Sequence, residues 1–253
     1  MRPDSTSPRP ALLLRLASDL ADRASRITLS KLPDEDRTAT RLESAFRMAG
    51  WWVHRERCDS NHVLPVAGRS YAEYLEGRPG QLRTTLKRKA KKVDVELLSG
   101  FDDTAWQAYE AIYAESWKPE EGDPALLRRF AEAEGAAGHL RLALARHQGE
   151  PVAAQMWTVE NGIAYIHKLA HLESAKPLSA GTTLTAALFE QVIDRDRVEW
   201  VDFGTGNDPY KRDWMEQVRP RWRLTCWRPH DPRNWLPAGK AWARKLVSRS
   251  RAG

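Results

Sequence analysis

The segment "HLRLALARHQGEPVAAQMWTVENGIAYIHKLAH", residues 139–171, constrains the fold more than any other stretch of the chain. Its apolar runs are separated by His147-Gln148-Gly149-Glu150 and by Glu160-Asn161-Gly162. Short glycine-bearing turns between such runs are hairpin signals. The segment therefore reads as three antiparallel strands. A helical pattern, "LSAGTTLTAALFEQVIDRD", comes next, then a strand, "VEWVDFG", a short helix, "DPYKRDWMEQ", and a strand, "PRWRLTCWRP". A meander followed by a crossover helix predicts an α/β (α+β) fold with a mixed, mostly antiparallel sheet flanked by helices.

Upstream, residues 1–10 are rich in Pro, Ser and Arg and read as disordered. Residues 11–24 read as a helix, "RITLSKLP" as a strand ended by Pro33, and "TATRLESAFRMAGWW" as a helix stopped at Gly50. "NHVLPVAG" is a strand, and "SYAEYLEGRPGQLRTTLKRKAKK" is helical with a break at Pro79-Gly80. "VDVELLSG" is a strand, "FDDTAWQAYEAIYAESW" and "PALLRRFAEAEG" are helices, and a basic helix closes the chain from about residue 232 to 249. The 253 residues hold one large domain, or a full domain and a smaller one.

The helical stretch near the start is interrupted by Arg15, Asp19, Asp22 and Arg23, so it is amphipathic rather than a signal peptide. No run approaches 18 apolar residues, and a cytoplasmic protein is expected. Cys58 and Cys226 are far apart and form no CxxC, which argues against a disulfide framework or a zinc site; no metal is expected. The net charge of +6 favours anionic partners: a phosphorylated cofactor, a nucleotide sugar, a nucleic acid or a membrane surface, the last through the basic C-terminal helix.

Four stretches carry candidate chemistry. "PLSAGTTL" opens a helix, and Ser179, Ala180, Gly181, Thr182 and Thr183 would offer amides and hydroxyls to an anion. The alternative is an ordinary capped helix start. In "AYIHKLAH", strand alternation puts Tyr165, His167 and Leu169 on one face and Lys168 on the other. His167 is a candidate general base, and Lys168 a candidate ligand; each also has a plain structural reading. In "VDFGTGNDPYK", Asp202 ends a strand, Gly204 and Gly206 allow a tight turn, and Asp208 caps a helix begun by Pro209. Tyr210 and Lys211 are left as candidate catalytic groups, with core packing and snorkelling as the alternatives. "LRTTLKRKAKK" is a basic helix; Arg83 and Lys87 on it would bind an anionic sugar or phosphate, or simply be solvated. Trp117, Trp157 and Trp214, among eleven tryptophans, are candidate stacking surfaces.

The ordered set "LRTTLKRKAKK", "VDVELLSG", "AYEAIYAESWK", "AYIHKLAH", "PLSAGTTL" and "VDFGTGNDPYKRDW" resembles the acetyltransferase domain of the cellulose-biosynthesis acetyltransferase (CelD/BcsL-like) family, related to the FemAB peptidyltransferases. The resemblance covers roughly residues 26 to 228 and implies a GNAT fold. It divides the chain into a tail and helix (1–25), a shortened first GNAT-like half (26–69), the acyltransferase domain (70–230) and a basic C-terminal helix and tail (231–253). It implies an acyl-CoA co-substrate, such as acetyl-CoA, with its pyrophosphate at Ser179–Thr183. The acceptor, a small molecule or glycan, would approach near His167, Asp202, Tyr210 and Lys211, over the floor made by Gly204. Aminoacyl-tRNA is the alternative donor, and a non-catalytic module for anionic glycans is the third reading.

Overall fold

A computed structural model of the chain describes residues 10–250, with side chains described to residue 243. In chain order its elements are α1 (Pro10–Asp19), β1 (Arg26–Leu32), α2 (Thr38–Met48), β2 (Trp52–Pro65), α3 (Tyr71–Glu76), α4 (Gly80–Lys89), β3 (Asp94–Leu98), α5 (Asp103–Ala114) and α6 (Pro124–Ala136). They continue with β4 (Leu140–His147), β5 (Glu150–Glu160), β6 (Ile163–His171), α7 (Ala180–Glu190), β7 (Trp200–Thr205), α8 (Pro209–Trp214), β8 (Gln217–Trp227) and α9 (Trp235–Ser250). The eight strands are mostly antiparallel and helices flank them, as the sequence implies. The residues expected to be disordered lie almost wholly outside the described ones. No described helix is long and apolar enough to cross a membrane.

The chain divides into two compact units. The first comprises the described parts of Met1–Asn61 and Arg219–Gly253, with Thr205–Asn207. Its strands run in the order β1-β8-β2, with Arg26 opposite Trp227 and Leu29 opposite Leu224. Alternation separates the two faces of this sheet. Ile27, Leu29, Val53, Leu224 and Cys226 face α1 and α2, where Ala17, Phe46 and Trp51 complete a core. Trp51 Nε1 donates to the carbonyl of Ala17 and ties the helix layer to the start of β2. Cys58 and Cys226 are both free thiols.

The second unit comprises His62–Gly204 and Asp208–Val218. Its strand order is β2-β7-β6-β5-β4-β3. The loops between β4, β5 and β6 are two-residue turns: Gln148-Gly149 at φ 54° and 87°, and Asn161-Gly162 at φ 52° and 77°. Two positive φ values in succession match the right-handed twist of the hairpin strands, and Gly and Asn tolerate them best. One face packs on α7 through Ala143, Ala145, Ala153 and Trp157. The small alanines let the helix approach closely. Phe189 of α7 stacks on Tyr74 (5.1 Å) and on Trp214 (5.1 Å) and meets the edge of Trp157 (5.4 Å). The other face packs on α5 and α6 through Leu142, Leu144, Ala154 and Met156, against Trp106 and Tyr109. Asp102 and Asp123 cap α5 and α6 by accepting from the N–H of Ala105 and Leu126.

Three expectations change. The strand expected over residues 61–68 begins nine residues earlier, at Trp52, and ends at Pro65. A short 3-10 turn, Glu173–Leu178, precedes α7 where the sequence suggests a direct passage from strand to helix, and α7 passes into π-helical geometry at Gln191–Arg195. Trp157 and Trp214 are buried core residues and not open stacking surfaces; the aromatic column around Phe189 holds them.

Candidate active site

The first helical turn of α7 is the anchor of the site. Ser179 precedes it in left-handed backbone geometry, with φ 56°. Its side chain makes no cap bond to the helix, contrary to the expected cap. Its hydroxyl instead accepts from Lys89 Nζ at 3.2 Å. The first intrahelical bond is Thr183 N–H to the Ser179 carbonyl, at 3.0 Å. The amides of Ala180, Gly181 and Thr182 precede it, at the positive end of the helix dipole. A lysine ammonium is therefore bonded to the residue that precedes the leading amides. A Cβ on Gly181 would meet only His171 Cδ2, at 3.5 Å, so neither space nor backbone demands glycine there.

A buried network fixes this turn. Gln155 of β5 donates to the Gly181 carbonyl (2.9 Å) and to Thr185 Oγ1 (2.8 Å), and it accepts from Trp157 Nε1 (3.0 Å). Thr185 Oγ1 also donates to the Gly181 carbonyl at 2.9 Å. A satisfied polar network in a low-dielectric core rigidifies what it touches.

On the other face, β6 carries a bulge. Trp157 pairs with Ile166 and Met156 with Lys168, which leaves His167 as the extra residue. The bulge breaks the alternation that would have put His167 and Lys168 on opposite faces. Both line one pocket of about 430 Å³, with Met156, Phe130, Glu121 and Asp123. His167 Nε2 lies 2.8 Å from Thr158 Oγ1, and Phe130 meets its ring edge-on at 5.3 Å. Partial desolvation lowers the His167 pKa below its ordinary value; Glu134, and more weakly Asp202, oppose this, while Lys168 reinforces it. Lys168 is not a snorkelling edge residue: its ammonium pairs with Glu121 and lies over the Tyr113 ring.

The pairing of β6 with β7 is parallel and ends at Tyr165 opposite Asp202, although β6 continues to His171. Beyond that point the two strands part. Asp202 lies within β7, and its Oδ1 accepts from the Gly204 N–H at 2.7 Å. Gly204 needs its glycine, because its φ is 68°. Desolvation, aided by the Asp202 charge, raises the Tyr165 pKa.

After the turn, Asp208 occupies the position before α8 but makes no cap bond with its side chain. Tyr210 packs edge-on against Phe203 at 5.5 Å, and desolvation pushes its pKa up to about 12. Lys211 does not snorkel. It is 5% exposed, with its ammonium 5.4 Å from the Phe203 ring centroid and 3.8 Å from Asp208 Oδ2.

Arg83 and Lys87 lie exposed on α4. Trp117, 46% exposed, lies against His171 at 4.2 Å. The structure thus brings His167 and Lys168 together, gathers Ser179–Thr183 at one helix end, and seats Tyr210 and Lys211 on Phe203. Sequence reasoning missed Lys89 as the partner of Ser179, Thr158 and Glu121 around His167 and Lys168, and Gln155 under the helix start. Lys89 belongs to the basic run, but nothing in a linear pattern marks which lysine meets α7. No cluster of metal-ligating side chains occurs among the described residues.

The acetyltransferase (GNAT) domain family profile matches residues 80–212, more than half of the chain. No curated protein matches the chain. Among solved structures, FemX is similar at 12% identity and a TM-score of 0.66, over 90% of this chain and 78% of that one. The C-terminal domain of a putative lysylphosphatidylglycerol synthetase from Agrobacterium fabrum is similar at 13% identity and a TM-score of 0.64, over 91% and 76%. L-PGS from Bacillus licheniformis is similar at 12% identity and a TM-score of 0.62, over 95% and 78%. These identities speak for the fold. The matched segment runs from the basic helix α4, through the bulged β6 and the anchored start of α7, into α8, and the chain belongs to the acetyltransferase (GNAT) domain family.

Proposed function

We propose that the chain moves an acyl group from an acyl-CoA-type thioester, acetyl-CoA in the simplest case, to an amine or hydroxyl on a sugar or cell-envelope precursor. The proposal includes membership of the cellulose-biosynthesis acetyltransferase (CelD/BcsL-like) branch, with residues 26–69 as a shortened first half. The observation that carries it is the bond from Lys89 Nζ to the hydroxyl of Ser179, the residue directly before the leading amides of α7. A pyrophosphate fits that combination of a cation and helix N–H groups. The donor arm would then enter where β6 and β7 part, leading toward the face that carries His167.

The acceptor would attack the thioester carbonyl directly. With Nε2–H donating to Thr158, the His167 Nδ1 lone pair can take the acceptor's proton. The carbon–sulfur bond breaks as the tetrahedral intermediate collapses, and the thiolate takes a proton. Tyr210, protonated at neutral pH, is the candidate donor, and burial, which pushes its pKa up to about 12, makes it a weak one. Lys211 is too buried to meet a bulky phosphate; its ammonium lies near the Phe203 ring, on which Tyr210 packs edge-on. Glu121 is paired with Lys168 and Asp123 caps α6, so the pocket's carboxylates leave the acceptor as either an amine or a hydroxyl. No covalent enzyme intermediate is required, and burial pushes the Cys226 thiol up to about 12, away from thiolate chemistry.

Gly181→Asp tests the donor site. The new Cβ has room and an acid in a first helical turn suits the dipole, but Gly181 is buried, so the melting temperature is read beside the affinity, with Gly181→Ala as the control that adds the Cβ without the charge. Calorimetry should show acetyl-CoA affinity falling by at least about tenfold, equivalent to about 1.4 kcal/mol. Unchanged affinity removes the assignment. A second reading, with aminoacyl-tRNA as donor, draws on the exposed Arg83, Lys87 and Arg88 of α4. It is favoured if the parent binds no acetyl-CoA but binds charged tRNA.

A further inference from the structure

The first unit holds a groove of about 940 Å³, outside the residues that the family profile matches. Its floor is the sheet face turned away from α1 and α2, where β1, β8 and β2 present Thr28, Arg223, Thr225 and His54. Pro237, Lys240 and Ala241 of α9 form one wall, and Trp242 locks this helix to Trp52 of β2 at 5.6 Å. A face with no apolar layer over it must present its polar groups to water or to a ligand.

The charges on this groove are one-sided. Arg26, Arg55, Arg57, Arg223 and Lys240 line it, against Glu56 alone among acids. Arg223 is engaged with Glu56 and Ser30, Arg55 with Asp34, and Arg57 with Ser60. Among the described residues, Arg26 and Lys240 make no ion pair. Two further groups are unsatisfied. His54, 8% exposed, and Trp227, 3% exposed, line the groove, and His54 Nδ1 and Trp227 Nε1 are buried with no hydrogen-bond partner among the described residues. Both nitrogens lie beneath the groove surface, so they mark its floor as polar without themselves reaching a ligand.

We propose that this groove binds a soluble phosphorylated small molecule, its phosphates held by Arg26 and Lys240 and its remaining polar atoms by the floor around His54, Thr28 and Thr225. The excess of free cations sets the ligand's charge. Guanidinium forks match phosphate oxygens in geometry as well as in sign. The groove's volume suits a ligand the size of a nucleoside diphosphate. The proposal does not rest on the acyl-transfer reading, since it uses different residues in the other unit.

The test is calorimetric titration of the full chain with inorganic pyrophosphate and with ADP, compared across the parent, the double variant Arg26→Ser/Lys240→Ser, Lys89→Ser, and Lys89→Ser carrying both groove replacements. Both replaced groove side chains are exposed, so the double variant should fold, as its melting temperature will show. The expected result is that, in the Lys89→Ser background where the proposed donor site does not contribute, the two groove replacements weaken pyrophosphate and ADP by at least about tenfold, while in the otherwise parental chain they leave acetyl-CoA binding within about twofold. Lys89→Ser should leave the groove site intact. Equal binding with and without the groove replacements in the Lys89→Ser background overturns the proposal. So does loss of all pyrophosphate binding in Lys89→Ser alone, or binding of the parent only to phosphatidylglycerol vesicles and not to pyrophosphate or ADP.

Discussion

Phe189→Ala should cost the second unit about 3–5 kcal/mol of stability, the range found when a large buried aromatic is cut back to alanine. Phe189 is fully buried between the parallel faces of Tyr74 and Trp214, with the edge of Trp157 as a third contact. Its removal strips three rings of their shared neighbour and leaves a cavity that none of them can fill, since Tyr74 is held by a hydrogen bond from its hydroxyl to the Trp214 carbonyl. Urea unfolding followed by tryptophan fluorescence measures the effect. Phe189→Leu, which refills part of the volume, should lose clearly less. A loss below about 1 kcal/mol for the alanine variant would show that this column is not the structural centre of the unit.

His167→Gln should lower turnover of the acceptor by about a hundredfold, near the low end of what general-base catalysis supplies. Glutamine can keep a bond to Thr158 and still accept no proton. The pH profile makes the test sharper. Desolvation holds the folded-state pKa of His167 below its ordinary 6.5, so the neutral, base-competent ring should persist into mildly acidic solution. The acid limb of the parent's rate profile should lie below pH 6.5 and vanish in the variant. The same shift has a sign for stability. An unfolded chain binds this proton more readily than the folded one, so the favourable contribution is complete above the unfolded pKa and fades as pH falls through about 6.5 and below. A normal rate and an unaltered acid limb in His167→Gln would leave His167 a structural member of the bulge.

Local signals made the meander, the helices and the general fold legible. Gln148-Gly149 and Asn161-Gly162 specify their turns because few other pairs accept two positive φ values. The long strand β2 is half hidden in the sequence, since "HRERCDS" in its first part is almost wholly polar and carries no apolar alternation. The helix end proposed for the donor's phosphates is marked in the sequence by glycine, serine and threonine. The lysine that meets it is not, because the packing of α4 on α7 is a tertiary event. Residue type alone singles out His167 in the sequence, whereas its shared pocket with Lys168 depends on a one-residue bulge that alternation cannot foresee. Lys211 and the two buried tryptophans show the same limit: residue type constrains chemistry, and burial decides whether solvent or ligand can reach it.

The Val66 N–H bonds to the Glu199 carbonyl, at the seam where β2 meets β7, and this joins distant parts of the chain. The pairings from β3 to β6, in contrast, link strands that follow one another in sequence. Closing a two-residue hairpin loses far less chain entropy than closing so long a loop, and that loss must be met before the distant contacts can repay it. The order of assembly follows: the meander zips early, and the seam closes late. Pulse-labelled hydrogen exchange during refolding should therefore protect the amides of β4 and β5 before that of Val66, and simultaneous protection would refute this sequence of events. A late-closing seam is also where a native molecule first opens, so the long-range junction, rather than the well-zipped hairpins, sets how long the fold survives once formed.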